Sequence, residues 1–161
     1  VLFVNSRDYS PEEVGDWASC GDDDVHWVEL ITGLYFIAAL NDEERIAGFS
    51  SVSKEGYLHS MFIHEDFQRK GVASLLYREI EEYVSRNGIS RISSDVSITA
   101  RPFFERQGFT VDEEQKRKTN RLCLTNYKMS KQLNLQGYIC RHTACNNISS
   151  IPVVLFCFFL F

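Results

Sequence analysis

Apolar and polar positions change rhythm several times along the chain. Leu34 to Leu40 is an almost unbroken apolar run, and two more β-compatible runs follow, Arg45 to Ser53 and Tyr57 to Ile63. Asn41-Asp42-Glu43-Glu44 and Lys54-Glu55-Gly56 separate them as turns, so three antiparallel strands are predicted. From Val72 to about Asn87 the period changes. Val72, Leu75, Leu76, Ile80, Tyr83 and Val84 recur at spacings of three and four, which predicts a helix with one apolar face. Asn87-Gly88 is its stop signal. Ile89 to Val96 reads as a strand and Thr99 to Gln107 as a short helix ended by Gly108. Phe109 to Val111 and Arg121 to Met129 read as a final antiparallel pair around a charged loop. Upstream, Val1 to Val4 reads as a short first strand. Ser10-Pro11-Glu12-Glu13 starts a helix: a capping Ser, Pro at the first helical position, and acids in the first turn. That helix runs to about Ser19, and Gly21 with Asp22, Asp23 and Asp24 reads as a loop.

The predicted order is strand, helix, three antiparallel strands, helix, strand, helix, two strands, with no internal repeat. It describes an α/β (α+β) fold, a mixed and mostly antiparallel sheet flanked by helices, and not a doubly wound parallel sheet. The 161 residues fit one domain. Hydrophobic residues make up 44% and charged residues 24%, the balance of a soluble globular protein. A net charge of -5 argues against nucleic acid as the main partner.

The five cysteines, an odd count at irregular spacings, predict no disulfide framework and place the chain in a reducing cytoplasm. The first residues lack the pattern of a signal peptide, and without an initiator Met the chain reads as trimmed or a fragment. Residues 132–161 differ in composition, with Arg141 as their one charge and an apolar end from Ile151 to Phe161. That end is too short for a bilayer, which needs roughly 20 residues. The tail could pack on the domain, bury a homodimer interface or be a non-native extension; it is taken as an appendage without catalytic role. Cys140, His142 and Cys145 lack a second pair at metal-site spacing, so no metal site is expected. Asn147-Ile148-Ser149 fits a glycosylation acceptor without any sign of secretion. Cys123 is expected to be a buried strand residue.

One segment carries chemistry. Gln68-Arg69-Lys70-Gly71-Val72-Ala73 joins the apolar strand ending at Ile63 to the helix beginning at Val72. A helix N-terminus presents unpaired N–H groups at the positive end of its dipole, a ready site for an anion. Gly71, without a Cβ, lets a phosphate approach the backbone, and Ala73 is small for the same reason. Arg69 and Lys70 add charge at the rim. The ligand this points to is a phosphate or pyrophosphate, yet the segment is neither a Walker loop nor a dinucleotide turn. The plain alternative is a solvated helix start with an accidental glycine.

Wider context favours the ligand. The hexapeptide fits the [QR]-x-x-G-x-[GA] signature, and Ala100-Arg101-Pro102-Phe103-Phe104-Glu105-Arg106-Gln107-Gly108-Phe109 fits a second pattern about thirty residues on. With these two motifs in order and at this spacing, the chain resembles the GCN5-related N-acetyltransferase (GNAT) superfamily. "YSPEEVGDWAS" and "TNYKMSKQL" resemble the opening and closing of its YafP-like small-molecule subgroup. The likeness covers about residues 1–133, with residues 1–131 as the acetyltransferase domain.

The resemblance implies a sheet splayed between its fourth and fifth strands, with the pantetheine arm of acetyl-CoA in the gap. Met61, Phe62 and Ile63 would pair with that arm through their backbone. Gln68, Arg69, Lys70, Gly71, Val72, Ala73 and Ser74 would hold the pyrophosphate. Ser97 stands where many relatives have an Asn that contacts the cofactor, or it caps the following turn. A backbone N–H near Ile63 would stabilise the oxyanion. The acceptor is a primary amine of a small molecule, which arrives protonated and must lose a proton before it attacks the thioester.

By period-two alternation Tyr57, His59, Met61 and Ile63 share a face, so His59 points towards the cofactor segment and is the candidate base. Its alternative is a structural histidine. His64, Glu65 and Asp66 read as loop residues. Many relatives place a Tyr near the sulfur where this chain has Phe104, which has no proton to give. Phe104 would instead wall the thioester pocket; either the thiolate leaves without that acid, or water or one of Tyr35, Tyr57 and Tyr127 serves. Two rival readings follow: a catalytically impaired acyl-CoA-binding module or sensor, and a binding or structural domain without a CoA site.

Overall fold

The computed structural model describes residues 1–135. It contains four helices, α1 (Pro11–Ser19), α2 (Asp24–Gly33), α3 (Val72–Arg86) and α4 (Arg101–Arg106). The strands are β1 (Tyr35–Leu40), β2 (Ile46–Val52), β3 (Leu58–Ile63), β4 (Arg91–Ser97), β5 (Thr110–Lys118) and β6 (Cys123–Gln132). They form two three-stranded sheets, ordered β1-β2-β3 and β4-β6-β5, so β3 and β4 share no ladder. Cys140, His142, Cys145, Asn147 and the apolar end lie outside the described residues. No helix among the described residues is long and apolar enough to cross a membrane.

One compact unit comprises Val1–Leu30 and Ser93–Lys131. Its α1 opens with the predicted cap: Glu13 N–H donates to Ser10 Oγ at 3.2 Å, and Ser10 N–H donates to Glu13 Oε2 at 2.9 Å. Each bond satisfies a donor that the helix itself leaves unpaired. Val14 is buried on this helix, and Tyr9, Val14 and Leu124 form a core cluster with Trp17 packed against it. Tyr9 also ties distant segments together. Its hydroxyl donates to Thr125 O at 2.7 Å and accepts from Ile98 N–H at 2.9 Å. Burial pushes its phenol pKa up, although the Ile98 bond works the other way.

Asp16 is the unexpected residue of α1. Its carboxylate is buried and accepts from the Thr119 hydroxyl, from Leu122 N–H at 3.0 Å, and from Arg121 N–H at 3.0 Å and Nε at 3.2 Å. The Thr119 hydroxyl, then the Leu122 and Arg121 amides, hold the carboxyl well below the usual carboxylate range. A buried charge is tolerated only when donors surround it in this way.

The second unit contains Ile31–Ile92. Strands β1, β2 and β3 form an antiparallel meander, with Phe49 opposite Phe62 and Ser50 opposite Met61. Helix α3 packs on β2. It buries Val72, Leu76, Tyr77, Ile80 and Val84, while Tyr83 stacks on Tyr35 with ring centroids 3.7 Å apart. Gly48 allows the close contact between β2 and β3. A Cβ there would meet Phe62 O at 2.7 Å and Ile63 Cδ1 at 2.8 Å.

Several expectations need correction. Val1 to Val4 joins no sheet among the described residues; Asn5 N–H bonds Val1 O at 3.1 Å, a helical span that coils the segment. Asp24 begins a helix where a loop was expected, with Asp23 Oδ1 accepting from His26 N–H at 3.1 Å ahead of it. The charged loop after Val111 is strand to Lys118, because β6 pairs with it from Glu113 to Lys118 beyond a register shift at Asp112. Cys123 is exposed, not buried: it opens β6, and alternation turns Leu124 inward instead.

Candidate active site

The end of β3 and the start of α3 are joined by a tightly specified connection. His64 N–H donates to Ala47 O at 2.9 Å, and a short 3-10 turn follows over Glu65–Phe67. His64 Nδ1 accepts from Asp66 N–H at 3.2 Å, a capping role that fits its reading as a loop residue. The side chain of Gln68 turns back, and its Nε2 donates to Ile63 O at 2.9 Å. Arg69 then takes a left-handed conformation with φ 61, and Gly71 does so again with φ 85. A left-handed non-glycine residue costs about 1–2 kcal/mol and is held only when its surroundings demand it. Here the Gln68 anchor and the first turn of α3 fix both ends.

This connection leaves its donors open. Gly71 is the N-cap of α3 and supplies no side-chain cap. The first backbone bond of the helix is Leu75 N–H to Gly71 O at 3.0 Å. None of the N–H groups from Arg69 to Ser74 has an acceptor among the described residues. A Cβ built on Gly71 would meet nothing within 4 Å. Open amides, open space and a helix dipole fit an anionic group such as a pyrophosphate. Arg69 and Lys70 are exposed beside them, and Lys70 Nζ stands 5.3 Å from the centroid of Phe67. Val72 is buried and serves the core, while Ala73 is half-buried and Ser74 exposed. Gln68 through Ser74 thus form the turn between β3 and α3 and the first residues of that helix.

Strand β3 is an edge of its sheet, paired on one side by β2. Met61, Phe62 and Ile63 are half-buried, and Phe62 packs on Phe49 with centroids 5.3 Å apart. Their backbone is thus at the edge where a pantetheine arm would add. His59 is exposed, with its ring edge-on to Tyr57 at 5.6 Å, and the β2–β3 register slips beside it: Ser60 pairs with Ser51 and Leu58 with Val52, so the expected alternation with Met61 and Ile63 is interrupted at His59.

In the other unit, Ser97 closes β4. Its Oγ accepts from Ala100 N–H at 3.1 Å, so the turn-capping alternative is realised while the hydroxyl keeps its own proton to donate. Phe104 is buried on α4, edge-on to Phe103 at 5.5 Å and to Phe109 at 5.0 Å. Its packing role is plain. Of the tyrosines weighed as acid, Tyr35 is stacked on Tyr83, Tyr127 lies 4.6 Å from Arg101 Cζ, and Tyr57 touches His59. Sequence reasoning missed Gly48 and the Gln68 anchor, because both depend on the register of β2 and β3. No group of three His, Cys, Asp or Glu side chains among the described residues is placed to hold a metal ion.

Comparison with known proteins agrees with this geometry. Residues 5–131 match the model of the acetyltransferase (GNAT) domain. The chain is 30% identical over 129 residues to the uncharacterised N-acetyltransferase YafP of Escherichia coli K12, covering 80% of each. Its fold superposes on a GCN5-related N-acetyltransferase (aminotransferase, class-II) from Rhodopseudomonas palustris with a TM-score of 0.77, at 26% identity over 81% of each chain. The PaiA N-acetyltransferase of Thermoplasma acidophilum, solved with coenzyme A, shares the fold at a TM-score of 0.63 and 17% identity, over 81% of this chain and 84% of that one. The chain therefore belongs to the GNAT family of acetyltransferases and is an acetyl-CoA-dependent N-acetyltransferase.

Proposed function

We propose that the enzyme transfers the acetyl group of acetyl-CoA to a primary amine of a small molecule, by direct attack within a ternary complex. The observation that carries the cofactor site is the row of amides from Arg69 to Ser74 without acceptors, opening beside Gly71. In this reading Gln68 to Ser74 hold the pyrophosphate, the backbone of Met61, Phe62 and Ile63 pairs with pantetheine, and an N–H near Ile63 receives the oxyanion. His59 takes the proton from the ammonium, directly or through water. Phe104 walls the thioester, and Ser97 offers its hydroxyl proton to the cofactor. Direct attack needs both substrates held together, and proximity can then supply much of the rate. Residues 1–131 form the catalytic domain and 132–161 an appendage. The enzyme works in the cytoplasm, the setting that the odd count and irregular spacing of its five cysteines predict, and assembles as a homodimer.

A second reading rests on Phe104. Its buried ring, packed among Phe103 and Phe109, has no proton for the departing thiolate. That favours an acyl-CoA-binding sensor impaired in catalysis. One experiment separates the two. Acetyl-CoA at about 100 times its dissociation constant should stabilise the fold by roughly 2.7 kcal/mol. A panel of small amines is then scored for thiol release. Stabilisation with turnover supports the transferase; stabilisation with no turnover on any amine supports the sensor. No stabilisation of a folded sample removes the loop assignment.

A further inference from the structure

Strand β5 lies at the edge of its sheet. β6 flanks it on one side, and no strand flanks the other among the described residues. An exposed edge of nine residues is a template for pairing with another chain. All its side chains are exposed except Gln115, which is half-buried. The charges are segregated, not mixed: Asp112, Glu113 and Glu114 precede Gln115, and Lys116, Arg117 and Lys118 follow it. Laid antiparallel against a copy of itself about Gln115, the segment sets 112 opposite 118, 113 opposite 117 and 114 opposite 116. Every such pair joins an acid to a base.

The backbone has the matching parity. Thr119 N–H donates to Leu122 O at 2.9 Å where the hairpin closes, and the register runs without a shift from Glu113 to Lys118. Antiparallel ladders alternate between bonded and non-bonded pairs. Counting back from Thr119, the backbone groups of Lys118, Lys116 and Glu114 turn away from β6, towards the open edge. These residues would exchange hydrogen bonds with a partner strand. Glu113 already pairs with Lys128 at 2.7 Å, and Arg117 with Asp95. Glu114 and Lys116 have no ion pair among the described residues, so their charges are available to an approaching copy.

We propose that β5 is a dimerisation strand: two copies of this chain pair their β5 edges antiparallel about a two-fold axis through Gln115. The occupant is a second copy because the charge order is complementary to itself. The test is sedimentation velocity on the full chain, at low and high salt, for the native sequence, Glu114→Lys, Lys116→Glu, and an equimolar mixture of the two variants. The native chain should dimerise, less so in high salt. Each single variant places like charges opposite one another at two symmetric points and should weaken association by about tenfold or more. The mixture should recover the dimer, because the changed positions then face each other with opposite charge. Unchanged melting temperatures would confirm that the monomers fold. A monomeric native chain shows that the charged edge blocks association and overturns the proposal. So does a dimer indifferent to both substitutions, or a mixture that stays monomeric.

Discussion

The side-chain amide of Gln68 donates to the main-chain carbonyl of Ile63 across 2.9 Å, tying the start of the anion-binding turn to the end of β3. One hydrogen bond thus links the proposed pantetheine segment to the proposed pyrophosphate cradle. Gln68→Leu keeps the size of the side chain and removes the donor. A net bond of this kind is worth about 1 kcal/mol, so the Kd for acetyl-CoA should rise about fivefold with kcat changed less. Calorimetric titration and steady-state kinetics check it. An unaltered Kd would mean that the turn holds its shape without the anchor.

Gly71 provides a sharper test, because its φ of 85 and its open surroundings make separate demands. Gly71→Ala adds only backbone strain, about 1 kcal/mol, and should lower stability modestly. Gly71→Glu adds a carboxylate where the cofactor's anion is proposed to sit. Two like charges at about 4 Å near a surface oppose one another by several kcal/mol, so affinity should fall by well over tenfold. Measured CoA affinity that is the same in Gly71→Glu as in the native chain would remove the loop from the cofactor site.

Asp16 sets a pH dependence of stability. Its folded-state pKa lies below the unfolded value, because Thr119, Leu122 and Arg121 donate to the charged form. Its stabilisation is therefore fully present above the unfolded carboxylate pKa of about 3.9 and is lost as pH falls through the lower folded value. Asp16→Asn should lower the melting temperature at neutral pH and flatten its decline in acid. Glu12→Gln, on the exposed side of the same helix, serves as the control. Equal melting curves for the two variants would show that the Asp16 network carries no special share of stability.

What was legible in the sequence follows from where the information lies. The Ser10 cap, the apolar face of α3 and the hexapeptide are local codes, and all three were readable because backbone geometry within a few residues determines them. Helix α2 was not. It buries Leu30 and exposes Val25 and Val28, so its apolar residues trace no core-facing stripe. Strand β5 was missed past Val111 because both its faces are charged, and β6 alone holds it extended. The partners of Asp16 lie over a hundred residues away, and no spacing rule reaches that far. At the site, the amides could be inferred from one glycine, whereas the Gln68 anchor and the tight approach at Gly48 required the register of β2 against β3.

His59 is exposed on β3, two residues before the proposed pantetheine segment, and that position motivates its proposed role as base. His59→Gln keeps a polar side chain of similar reach and removes the titrating group. If His59 takes the ammonium proton, kcat should drop by about 10²–10⁴-fold, the range for a general base. The acid-side limb of the native rate profile should disappear with it, since no imidazole remains to be protonated. Acetyl-CoA affinity should stay near the native value, because the cradle from Gln68 to Ser74 is untouched. Tyr57→Phe is the companion variant, as its ring meets His59 edge-on. A histidine held only for structure predicts the opposite pattern: a lower melting temperature, with kcat and the pH profile of the folded fraction unchanged.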